Sequence, residues 1–165
     1  PRFGASQPVL STDARCDLAA MLVALAARGD AGNPDLAGVD SAALRAQARE
    51  QLQMVLQSGI VHPRAVHVLG WLLAAQGDVT AVRDWLPVAE QAFARWPNSV
   101  DLAALLVRLN STTADVERQY KFATAELRGS ATLVQRQQAS RRIARLQPLL
   151  KPAAPAVAVP ATPAR

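Results

Sequence analysis

The chain has 165 residues, enough for one domain of ordinary size, and half of them are hydrophobic with few aromatics. Its net charge of +5 is uneven: residues 1–117 carry 9 Arg against 12 Asp and Glu (net −3), and residues 118–165 carry 9 Lys and Arg against one Glu (net +8). A single cysteine, Cys16, excludes an intramolecular disulfide, and with only His62 and His67 beside it the ligands for a zinc site are too few.

Alanine, leucine, arginine and glutamine are abundant, and all favour helix. Long alternating runs of β-branched and aromatic residues are missing. The abundance of alanine implies helices packed closely through small side chains. No apolar run reaches transmembrane length, and Leu18 to Ala27 is short and amphipathic.

Residues 1–12 read as an extended lead-in. A first helix is expected from a cap at Thr12 or Asp13 to Arg28, with Leu18, Met21, Leu22 and Leu25 at helical spacing and Gly29-Asp30 as the stop. Asp40 or Ser41 caps a second helix through Gln57. Pro63 opens a third, because a first-turn proline gives up no intrahelical bond, and Gly77-Asp78 ends it. A fourth covers Thr80 to Trp96, with Pro87 expected to kink or break it. Three more follow at Ser99–Leu109, Thr113–Leu127 and Ala131–Leu146. From Pro148 to Arg165 alanine and proline make a linker or tail.

The chain repeats itself. Met21 to Asp30 aligns with Leu69 to Asp78 at an offset of 48 residues, keeping Leu-Ala-Ala and the Gly-Asp stop in register. Pro63 and Pro97 lie 34 residues apart. Leu69-Gly70, Leu73 and Gly77-Asp78, followed by Ala89, Ala92, Phe93 and Pro97, resemble the tetratricopeptide repeat, a helix–turn–helix unit with that period. The resemblance is clearest over 63–97 and weaker over 16–62 and 98–127. It implies an all-α fold over residues 13–147: a short right-handed stack of antiparallel hairpins, an α-solenoid of about six or seven helices. Gly70 and Ala74 would allow close approach within a hairpin.

The sequence shows no Gly-rich phosphate loop, no His-Glu-x-x-His pair and no Gly-x-Ser-x-Gly elbow, so neither an enzyme nor a bound cofactor is expected. Cys16 beside Asp17 reads as a buried, inert thiol. A base formed by His67 with Asp101 or Asp84 has no support in the spacing. What the repeat resemblance implies is binding of another protein or peptide in a concave groove lined by first helices. Carried over by position, the groove residues are Arg64, His67, Trp71 and Ala74, then Asn98, Asp101, Leu105 and Arg108. Trp71 is the anchor candidate, and Trp85 and Trp96 read as core.

A second surface is suggested by charge. The last helix has an apolar stripe of Ala139, Ile143, Leu146 and Leu150, with Arg136, Arg141, Arg142 and Arg145 on its basic side. Capping of the stack is the favoured reading, since terminal repeats need a polar outer face. The basic segment lacks the interleaved aromatics of a nucleic-acid module, so no nucleic acid is expected. A membrane contact would come only through an upstream anchor or this helix.

These readings converge on a non-catalytic interaction scaffold or assembly factor of a bacterial multiprotein system. The alternatives are an accessory helical domain of a larger enzyme or membrane protein, and an anionic-surface binder. Since Pro1 is no initiator methionine, upstream residues are expected, whether a cleaved signal, an anchor or simply more chain; with the Pro/Ala tail this slightly favours a periplasmic or membrane-tethered location, a cytoplasmic one being the alternative.

Overall fold

A computed structural model of the chain describes residues 10–59 and 61–150. These residues form seven α-helices and one 3-10 turn, with no strand among them. The helices are α1 (Thr12–Asp30), α2 (Ser41–Gln57), α3 (Pro63–Gln76), α4 (Val79–Arg95), α5 (Val100–Thr112), α6 (Val116–Gly129) and α7 (Leu133–Leu150), and the 3-10 turn at Pro34–Leu36 lies between α1 and α2. None of these helices is long and apolar enough to cross a membrane.

Short polar side chains start five of the helices by accepting from otherwise unpaired N–H groups. Ser11 accepts from Ala14, Asp40 from Ala42 and Ala43, Asp78 from Thr80 and Ala81, Ser99 from Leu102, and Asp115 from Arg118. Pro63 opens α3. Gly77 closes it at φ +70°, a left-handed conformation that lets α4 begin two residues later.

The helices depart from the sequence reading at several places: α5 runs on to Thr112, and α6 spans Val116–Gly129. Gly29 is helical, and α1 runs to Asp30 before Gly32 turns left-handed at φ +75°. The helix α4 continues through Pro87. Pro87 and Arg83, the residue whose carbonyl loses its N–H partner, are both exposed, so this turn lies on the solvent side of the helix. Helix α7 likewise continues through Pro148 to Leu150, so the expected tail loses its first three residues to the helix. Its remainder, 151–165, and the lead-in over 1–9 lie outside the described residues.

Helices α1 and α2 are antiparallel partners. Arg15, early in α1, donates to Gln51 late in α2 at 2.7 Å, and Arg45 early in α2 pairs with Asp30 at the end of α1. Helices α3 and α4 pack together, as do α5 with α6 and α6 with α7. Helix α1 also meets α3, and α3 meets α5. Asp17 pairs with Arg64 and Asp13 with His62, separations of 47 and 49 residues that bracket the 48-residue repeat offset. These pairs hold α1 beside α3 and the residue that precedes it.

Two cores result. One holds Cys16, Ala19, Ala48, Leu52, Val55, Ala65, Leu69 and Leu72 from the first three helices. The other holds Val66, Val82, Leu86, Leu102, Leu105, Leu106, Leu109, Phe122 and Leu146 from α3 onward. Helix α3 feeds both, with Ala65, Leu69 and Leu72 turned one way and Val66 and Ala74 the other. That double burial fixes the helix which carries Trp71.

Candidate functional site

Arg64, His67 and Trp71 follow one another at i, i+3 and i+7 along α3, which places them on one face. On α5, Asp101, Ala104, Arg108 and Ser111 do the same. Two adjoining clefts lie along these faces. One, of about 490 Å³, is lined by Ala20, Pro63, Arg64, His67, Val68, Ser99 and Asp101. The other, of about 430 Å³, is lined by Trp71, Ala104, Val107, Arg108, Ser111, Gln119, Arg142, Arg145 and Leu146. His67 in the first and Trp71 in the second meet edge to face, with ring centroids 6.2 Å apart. Trp71 is 36% exposed, so it stands at a cleft wall and not in the core. Trp85 and Trp96 are partly buried and pack on the core.

The second cleft joins two features that the sequence presented separately. Arg142 and Arg145 belong to the basic face of α7, and they stand with Trp71 and Arg108 around one cavity. Arg136 and Arg141 are exposed and line neither cleft. The stripe of Ala139, Ile143, Leu146 and Leu150 is turned inward, with Ala139 and Leu146 buried and the other two partly so.

Arg142 is oriented from behind. Its Nη1 donates to both carboxylate oxygens of Glu126, at 2.8 and 2.6 Å, and Glu126 is only 3% exposed. The Glu126 carbonyl accepts from Ser130 Oγ at 2.6 Å, and Arg136 Nε donates to the Ser130 carbonyl. Charge-assisted contacts of this kind are the strong ones. Glu126 was not singled out from sequence. The available signal was that it is the sole acid after residue 117, among nine cations. Arg108 and Arg145 form no ion pair among the described residues. The residues outside that range carry no acidic side chain.

Two expected groove residues are core residues instead. Leu105 is 0% exposed and Ala74 4%. Leu105 fills the space left by the missing side chain of Gly70: a Cβ there would lie 2.8 Å from both Leu105 methyl carbons and 2.9 Å from Trp85 Nε1. Counting forward by a fixed period put Leu105 in the place of Trp71, but α5 is turned so that Ala104 and Arg108 face the cleft. Asn98 is exposed and lines neither cleft.

His67 and Asp101 share the first cleft without a hydrogen bond between them. Burial lowers the pKa of His67, Asp101 opposes that shift, and Arg64 adds to it. The cleft therefore holds a neutral imidazole at neutral pH.

A row of three titratable groups ties α1 to the segment before α3. Cys16 Sγ lies 3.5 Å from His62 Nδ1, and His62 Nε2 lies 3.0 Å from Asp13 Oδ1. The order is that of nucleophile, base and orienting carboxylate. The thiol, however, is fully covered, and its pKa is raised first by burial and then by Asp13. A thiol kept protonated and out of reach packs the α1–α3 contact. Among the described residues no three His, Cys, Asp or Glu side chains gather where they could hold a metal ion. Comparison with protein-family models, curated proteins and solved structures finds no match to the chain.

Proposed function

We propose that the chain is a non-catalytic protein–protein interaction scaffold or assembly factor, a short right-handed tetratricopeptide-like stack. Its α3–α5 face, walled at one end by α7, holds a segment of a partner protein. The observation that carries this reading is the meeting of Trp71 with Arg108, Arg142 and Arg145 around one cleft. Tryptophan and arginine dominate interface energetics, because they combine large apolar area with directed donors. The contacts of α1 with α3 and of α3 with α5, and the Gly77 turn, support the stack. A photo-crosslinking amino acid placed at position 71 should attach covalently to the partner in a native lysate. The purified partner should then bind the unmodified chain, and bind Trp71→Ala far more weakly. Equal affinity for both would sink the proposal.

A further inference from the structure

The two clefts differ in charge. The α7 end carries Arg108 and Arg145, neither paired among the described residues, together with the Glu126-held Arg142. The α1 end carries Asp101, which forms no ion pair among the described residues, beside an Arg64 that is paired with Asp17. Trp71 is on the cationic side, and His67 on the other. Asp101 and Arg108 are seven residues apart on one helix, about 10 Å at 1.5 Å per residue. An extended segment covers that distance in about three residues at 3.3 Å each.

We infer that the groove recognises a charge-polarised peptide segment: an acidic pair next to an apolar side chain at Trp71, and a basic side chain about three residues away at Asp101. The inference rests on the groove reading above and adds the chemistry of the partner. Charge complementarity selects this occupant. A bilayer is too broad to enter the clefts. A single nucleic-acid strand could stack a base on Trp71 and place phosphates on the arginines, but its next phosphates would meet Asp101. Like charges in juxtaposition across an interface are costly, so the two poles fix both the ligand and its register.

The test uses three fluorescein-labelled peptides in polarisation titrations against the full chain. The first carries Lys-Ala-Phe-Glu-Glu, the second Glu-Ala-Phe-Lys-Lys, and the third Glu-Ala-Phe-Glu-Glu, each between Gly-Ser flanks. The first should bind about tenfold tighter than the third, which mismatches the Asp101 pole alone, and more tightly still relative to the second, which mismatches both poles. Trp71→Ala should weaken it strongly. The triple variant Asp101→Lys, Arg108→Glu, Arg145→Glu should reverse the preference toward the second peptide, with a helical spectrum showing that it folds. If the first and third bind equally, the Asp101 pole is overturned, and loss of both on Trp71→Ala would leave groove binding standing. If Trp71→Ala changes neither, the groove reading falls as well. Displacement of the first peptide by oligo-dT at comparable concentration, or no binding of any peptide at millimolar concentration, would overturn the polarised recognition.

Discussion

Gly70 and Leu105 occupy each other's space: the position of a Cβ on one is 2.8 Å from the methyl carbons of the other. The contact joins α3 to α5 across 35 residues, and Trp85 of α4 closes it from the third side. Leu105 is fully buried, so it cannot swing aside into solvent. Gly70→Leu should therefore overpack the site and cost about 1–3 kcal/mol. An exposed helical glycine would behave oppositely and gain up to about 1 kcal/mol from a better helix former. Urea denaturation of the variant decides between them, and a gain in stability would contradict the packing described.

Reversing single arginines on α7 separates cleft recognition from attraction to a basic surface. Arg145 lines the cleft and Arg141 does not, though both are exposed. Cleft binding predicts that Arg145→Glu weakens the partner strongly while Arg141→Glu changes little. Trp71→Ala should cost about 2 kcal/mol of binding. A diffuse Coulomb attraction would treat the two arginines alike and fade as salt shortens the Debye length below about 8 Å. Isothermal titration at two salt concentrations, with the identified partner, reads both effects.

The Glu126–Arg142 pair should matter for stability as well as for the cleft. Glu126→Gln leaves the guanidinium without its counter-charge on a half-buried wall. Breaking a buried pair costs about 3–5 kcal/mol. Arg142 is about a third exposed, so solvent recovers part of that, and about 1–3 kcal/mol is expected. Replacing both residues, Glu126→Leu with Arg142→Met, should recover much of the lost stability while still weakening the partner. Thermal denaturation of the single and double variants measures the first effect, and titration the second.

His67 makes stability depend on pH in a known direction. Its folded pKa is lowered from the ordinary 6.5, first by burial, with Asp101 opposing and Arg64 adding. The unfolded chain therefore takes up the proton first as pH falls. Its contribution is intact above about pH 6.5 and is lost as pH falls below that value. The melting temperature of the wild type should drop more between pH 7 and pH 5 than that of His67→Gln. Parallel curves for the two proteins would remove His67 as the source.

Most of the helices were legible because their ends are written in local chemistry. Asp40, Asp78 and Ser99 cap wherever they stand before a helix-forming run, and Gly77 turns left-handed for want of a Cβ. Pro87 does not break α4, because the cost of a helical proline depends on its surroundings as well as on the backbone bond it removes, and here it lies on an exposed face. The face of α3 was legible from Arg64, His67 and Trp71. That of α5 was not, because its rotation is set by Leu105 settling against Gly70, a contact between distant residues. For the same reason no spacing rule paired Arg142 with Glu126, or brought His62 between Cys16 and Asp13.

The 3-10 loop between α1 and α2 spends ten residues where α3 and α4 are joined by two. Asp17 nevertheless reaches Arg64, and Asp13 reaches His62. Side chains set the distance between neighbouring odd-numbered helices, and the connecting chain length is free to drift. Gly38, at φ +87° with nothing within 4 Å of a Cβ placed on it, marks the open part of that loop, and no residue of 31–40 lines either cleft. A fluorophore or a short affinity tag spliced in there would report on the molecule without touching the proposed binding face.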